Sequence, residues 1–343
     1  STLVVTLFPY TTLFRSMYRD SYRKLKKGFA LLIAVCMLTV MIPAEALAAG
    51  DEDGVKTSGF VGSLTWTIDN DTLTIKKAPS SDPDKMSEMP NYSENEPAPW
   101  AQADSLFSKV VIGENIDTIG NYAFYGLDID SIEFPDVLYE IGDHAFMKSG
   151  LPEVMLPESV RYIYDHAFAY SDLEKIDFPA YVIRISDEAF AGCKNLVSVE
   201  LPEIDEDING SYLFKGCTSL ERVVFPESDN RLGVNNGMFE GCIALTDVTL
   251  PKKLSIVRNA AFKDCTSLRQ IVFPESDVRV SLGRRVFSGC TNLKKIYFQG
   301  LAPDIEDSGQ TDELSFSGLK NVAVCYFKDS EEWESIRHFS ERY

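Results

Sequence analysis

The stretch Leu173–Asn195, LEKIDFPAYVIRISDEAFAGCKN, decides the fold, because most of the chain after it repeats the same pattern. LVSVELPEIDEDINGSYLFKGCTS follows from Leu196 and LERVVFPESDNRLGVNNGMFEGCIA from Leu220. LTDVTLPKKLSIVRNAAFKDCTS then starts at Leu245 and LRQIVFPESDVRVSLGRRVFSGCTN at Leu268. Earlier copies begin at Ile129 and Leu151, with a first one in outline from Ser108. Self-similarity with a period of 22 to 25 residues predicts a solenoid, which grows by stacking turns rather than by enlarging one core.

Comparing the copies separates framework from surface. Each opens with apolar–x–apolar–Pro, as in Ile132/Phe134/Pro135, Ile176/Phe178/Pro179 and Val223/Phe225/Pro226. A period of two places the apolar pair inward on a strand. Proline has no N–H to give a ladder, so Pro135, Pro157, Pro179, Pro202, Pro226, Pro251 and Pro274 are expected to end the strands. A second short extended segment ends at Ile141, Ile163 or Ile185, often with a turn-prone glycine nearby (Gly120, Gly142, Gly233, Gly283). Phe124, Phe146, Phe168, Phe190, Phe214, Phe239, Phe262 and Phe287 then form an expected spine. Three residues after the spine lie Cys193, Cys217, Cys242, Cys265 and Cys290, where earlier turns hold Leu127, Ser149 and Ser171. A phase that accepts Leu, Ser or Cys is a small buried slot. The expectation is a column of free thiols, not disulfides.

The flanks read differently. Thr6–Ser16, TLFPYTTLFRS, resembles the translation of a sequencing adapter, so residues 1–16 are set apart from the fold. Met17 opens a basic stretch, an apolar run from Phe29 to Ile42 and small residues through Ala49, which predicts a signal peptide over 17–49. After a polar lead-in, Asp51–Gly59, the alternation in Gly62–Ile75 with Asp69-Asn70-Asp71 between its arms predicts a β-hairpin. Residues 50–106 are assigned to an N-terminal β cap and linker, 107–321 to the solenoid and 322–343 to a C-terminal cap.

The whole chain carries a net charge of −19. Beyond residue 49 the balance is 27 basic against 50 acidic residues. That field repels phosphate backbones and anionic lipid, arguing against nucleic acid and against membrane insertion once a signal is cleaved.

The repeat resembles the BspA-type leucine-rich repeats of bacterial surface proteins. Ile116–Phe124 (IDTIGNYAF), Tyr139–Phe146 (YEIGDHAF) and Phe287–Ile296 (FSGCTNLKKI) carry the likeness, with LTWTIDNDTLTI and APW ahead of the array and FQGLAP at its last turn. The resemblance implies a right-handed leucine-rich-repeat solenoid, mostly β, with a parallel sheet on one side and short irregular or helical segments on the other. It also implies a secreted or cell-surface protein of bacteria, some relatives being adhesins. No binding residues carry over from the family.

No nucleophile elbow, phosphate loop, CxxC pair or HExxH motif occurs, so the expectation is a protein that is not an enzyme and needs no cofactor. Asp205–Gly210 imitates the start of a calcium loop, but Gly216 stands where an EF-hand needs a bidentate glutamate. It and the acidic insertion Asp304–Glu313 are taken as solvated acidic loops. His144 and His166 share one phase and are expected to be a surface pair, too few for a metal site. The candidate ligand-binding residues are the outward positions of consecutive strands: Arg222/Val224, Asp247/Thr249, Gln270/Val272 and Lys295/Tyr297. Val224, Thr249, Val272 and Tyr297 make a column flanked by a polar one, as interaction patches often are, though Val, Thr and Tyr also favour strands. The function expected is a monomeric, non-catalytic, adhesin-like binder of a protein or glycan on a host or microbial surface. A cell-envelope spacer or the targeting module of a larger, truncated protein are the alternatives.

Overall fold

In the computed structural model, the residues described are 55–326, except 80, 83–84, 204–209, 229–231, 306–314, 317–318 and 320. The adapter-like stretch, the signal sequence, Asp205–Asn209, most of the Asp304–Glu313 insertion and the tail from residue 327 lie outside them.

Each apolar–x–apolar run folds into a short strand that stops at or just before its proline, as in Glu153–Met155, Lys175–Asp177, Arg222–Val224 and Gln270–Phe273. The central side chain points in: Val154, Val223 and Ile271 are buried, whereas their neighbours Met155, Arg222 and Gln270 are exposed. Equivalent strands pair in parallel and in register, Lys175 against Glu153 and Arg222 against Asp247. This first sheet is broken into segments. Ser198–Glu200, Arg222–Val224 and Asp247–Thr249 form one ladder, and Gln270–Phe273, Lys295–Phe298 and Ala323–Tyr326 form another.

The second extended segment builds a sheet of its own. Ser87–Glu88, Ile116–Ile119, Glu140–Ile141, Tyr162–Ile163 and Arg184–Ile185 run as one parallel ladder, and Leu232–Val234, Leu254–Val257, Ser281–Leu282 and Asp304–Ile305 as another. The turn-prone glycines have a different job from the one expected. Gly120 and Gly142 do not adopt positive φ; a Cβ on them would lie 2.0 Å from the Pro90 carbonyl oxygen and 2.4 Å from Asn121 Oδ1. They permit close stacking of turns.

The left-handed residues come two positions later and again four after that. Tyr122, His144, His166, Glu188, Tyr212, Ala260 and Arg285 have φ between 54° and 60°. An L-residue pays about 1–2 kcal/mol there. The backbone on this third side still bonds turn to turn: Phe146 N donates to Ala167 O (2.7 Å) and Phe168 N to Ala189 O (2.8 Å). Regular hydrogen bonding thus continues where no strand is present.

Inside, the phenylalanine spine is continuous. Ring centroids from Phe124 to Phe287 are 5.1–5.9 Å apart, within the range for offset stacking. Trp100 extends the column at one end (5.9 Å to Phe124) and Phe316 at the other (5.9 Å from Phe287). Each buried ring contributes about 1.5–3 kcal/mol relative to exposure. Beside it, each repeat cysteine thiol donates to the carbonyl of the preceding turn's phenylalanine: Cys193 to Phe168 O (3.2 Å), Cys242 to Phe214 O (3.1 Å) and Cys290 to Phe262 O (2.9 Å). The cysteines of this column are free and buried. Burial raises the Cys217 and Cys265 thiols well above their ordinary range, and that of Cys242 to about 12.

The cap is a three-stranded antiparallel sheet, Ser58–Val61, Leu64–Asp69 and Asp71–Lys77. Ser58 and Gly59, grouped with the polar lead-in on sequence, belong to its outer strand. Asn70 (φ 47°) and Asp71 (φ 66°) form the two-residue turn whose twist suits a hairpin. Asp71–Lys77 then pairs in parallel with Phe107–Ile112, which pairs with Ser131–Glu133. The cap therefore serves as the template for the first sheet.

Candidate functional site

The outward positions of the first sheet depend on strand alternation, so the eight candidates are held by the backbone of four successive turns. Arg222 sits in register with Asp247, and Val224 with Thr249. Gln270 is in register with Lys295, and Val272 with Tyr297. The structure brings each group of four together. No ladder among the described residues joins Asp247–Thr249 to Gln270–Phe273, so a seam divides the eight into two quartets.

Chemistry differs along the columns. Arg222, Asp247, Gln270 and Lys295 are all exposed, while Val224, Val272 and Tyr297 are half-buried and Thr249 is exposed. Arg222 Nε lies 3.5 Å from Asp247 Oδ2, an exposed pair worth little on its own. Lys295 Nζ stands 5.9 Å from the centre of the Tyr297 ring. Tracing the apolar column back along paired strands, Val224 aligns with Glu200, while Asp177 aligns with Met155. Met155 is 74% exposed, an apolar side chain on this face that sequence comparison missed because its column is otherwise acidic there.

The third side carries a polar column that sequence reading also missed. Asn121 Oδ1 accepts from Asp143 N (2.8 Å), Asp143 Oδ1 from Asp165 N (3.1 Å), Asp165 Oδ1 from Asp187 N (3.1 Å) and Asp187 Oδ1 from Ser211 N (2.8 Å). The only signal was Asn or Asp recurring one residue before the histidine phase. His144 and His166 are more than a surface pair. Their rings stack at 4.8 Å, Tyr122 stacks on His144 at 4.5 Å, and both Nδ1 atoms are buried without a partner. Burial, and then the neighbouring His166, lowers the His144 pKa, opposed by Asp143, Asp165 and Glu94. Among the described residues no group of three potential metal ligands converges.

The family model for the BspA-type leucine-rich repeat region matches in six copies, over residues 102–210 and 184–321. The chain belongs to that family. No curated protein matches it. A leucine-rich cell surface protein of Faecalibacterium prausnitzii A2-165 aligns at 18% identity over 81% of this chain and 97% of its own, with a TM-score of 0.36. A leucine-rich repeat protein of T. pallidum aligns at 22% identity over 67% of this chain and 88% of its own, TM-score 0.36. The pneumococcal vaccine antigen PcpA aligns at 15% identity over 82% of this chain and 96% of its own, TM-score 0.31. Among the described residues no helix is long and apolar enough to cross a membrane.

Proposed function

We propose that this chain is a non-catalytic, exported binding protein of the bacterial surface that holds a macromolecular partner against the outer face of its first sheet. One observation carries the reading: the outward column changes from Glu200 to Val224, Thr249, Val272 and Tyr297, so half-buried Val224, Val272 and Tyr297, with exposed Thr249 among them, stand where earlier turns are largely acidic. A strip of this kind, flanked by Arg222, Asp247, Gln270 and Lys295, has the apolar centre and polar rim of an interaction surface. The signal sequence over 17–49, the caps at 50–106 and 322–343, and an adhesin-like role towards a host or microbial protein or glycan belong to the same proposal.

The test is binding to immobilised matrix proteins, mucins and bacterial cells. The Val224→Asp/Val272→Asp/Tyr297→Asp variant is expected to lose binding at least about tenfold, as removal of a central hot spot does. An Arg222→Ala/Lys295→Ala variant, which leaves the strip intact, checks that loss is not a folding defect and should chiefly slow association. Equal binding by all three proteins would leave the face without a role and favour an envelope spacer.

A further inference from the structure

A cleft of about 520 Å³ lies on the second sheet, between the cap segment Glu88–Asn91 and the first turns of the array. Its shape follows from stacking. Gly142 contributes no side chain to it, whereas Tyr164, one turn on and in the same repeat phase, projects a ring into it. Glu88, Thr118 and Glu140 stand in register on three adjacent strands, about 4.8 Å apart per step. Asp117 and Asp143 flank that row, and Tyr139 and Tyr164 add aromatic surface. No lysine, arginine or histidine is among the lining residues.

We propose that this cleft takes an organic cation, the guanidinium or ammonium group of a basic side chain on a partner protein. Carboxylates supply charge-assisted acceptors, and tyrosine faces add cation–π attraction. Concave walls lined by one sign of charge concentrate ions of the other. Glu88 is open to such a ligand, whereas Glu140 is already engaged by the Tyr164 hydroxyl at the edge of the cleft. Asp143 supplies charge more than acceptors, because its Oδ1 accepts from Asp165 N (3.1 Å) and its Oδ2 from Asn121 Nδ2 (3.3 Å), and Asp117 Oδ1 accepts from Thr118 Oγ1 (3.2 Å). The tyrosines form a supporting cluster, with Tyr139 edge-on to Tyr162 (5.5 Å) and Tyr162 stacked with Tyr164 (6.1 Å). Charge complementarity favours a basic protein segment over a neutral glycan. The cleft lies on a different sheet from Arg222–Tyr297, so binding can fail at either site without touching the other.

The experiment titrates a tetra-arginine peptide into the full chain by calorimetry at low salt. Binding is expected to weaken at least about tenfold in Glu88→Gln/Glu140→Gln, and severalfold in Tyr164→Leu. A control, Glu153→Gln/Glu200→Gln, removes the same charge from the exposed first sheet and should change affinity about twofold or less. Melting curves of all variants verify the fold. The proposal is overturned if the peptide shows no binding at about 1 mM, or if the control weakens binding as much as the cleft variant does. It is likewise overturned if spermidine binds more tightly than the peptide, which would assign the cleft to a free polyamine.

Discussion

Two halves of the array solve the same stacking problem with different chemistry. From Phe124 to Phe190 the spine recurs every 22 residues, the second sheet is one unbroken ladder, and side-chain oxygens of Asn121, Asp143, Asp165 and Asp187 stitch each turn to the next. From Phe190 onward the spacing lengthens to 23–25 residues and the thiols of Cys193 through Cys290 add an inner stitch, while the outer one recurs at Asn259, whose Oδ1 accepts from Arg284 N (2.7 Å). The two kinds of stitch overlap at the junction, where the turns of Asp165 and Asp187 are tied to the next by both. A tight turn leaves a carboxylate within reach of its neighbour's backbone on the outer wall. The longer turns add a bond made inside the core, which tolerates irregular loops outside it.

The spine is common to both halves, so breaking it gives the largest effect. Phe190→Ala, at the junction, is expected to cost about 3–5 kcal/mol in chemical denaturation. An unchanged melt would refute the stacked-ring account. Removing one outer stitch is milder: Asp165→Ala should cost about 1 kcal/mol, and Asp165→Asn, which keeps an acceptor, less. Cys242→Ala removes the corresponding inner bond, while Cys242→Ser should stay near wild type because Ser149 and Ser171 are buried in the same phase. If Asp165→Ala and Cys242→Ala were both silent, the two halves would differ in sequence only.

The smallest effect is a pH dependence confined to the first half. His144 has a folded pKa below its ordinary value, so the unfolded chain binds its proton more readily. Stability from this residue is therefore present above about pH 6.5 and is lost as the pH falls from there towards the lowered folded pKa. His144→Phe keeps a ring in the stack and should flatten the fall in denaturation midpoint between about pH 7 and 5. A wild-type midpoint independent of pH there would show that burial of His144 does not couple its protonation to folding.

Most of the scaffold was legible in the sequence because its constraints are periodic. Ile176, Phe178, Pro179, Phe190 and Cys193 recur at fixed offsets, and burial at a fixed offset has few structural explanations. The Asp column escaped because a carboxylate reads as surface until a backbone N–H is seen beneath it. The left-handed residues escaped because His, Tyr, Glu and Ala share no composition there that marks positive φ. Trp100 and Phe316 continue the spine from outside the clear repeats, so periodicity could not reach them. The eight outward residues were placed correctly on strands. The seam between Thr249 and Gln270 was hidden, because ladder continuity depends on loop geometry more than on strand pattern.

The ring column also determines what a spectrometer would see. Trp66 and Trp100, two of the three tryptophans, sit together at one end, with ring centroids 6.3 Å apart. In a stack where each turn touches only its neighbours, unfolding can begin at either end and travel. Indole emission from this pair reports the cap end, whereas circular dichroism averages over the length. A gap between the two melting midpoints would then measure how far cooperativity extends along the array.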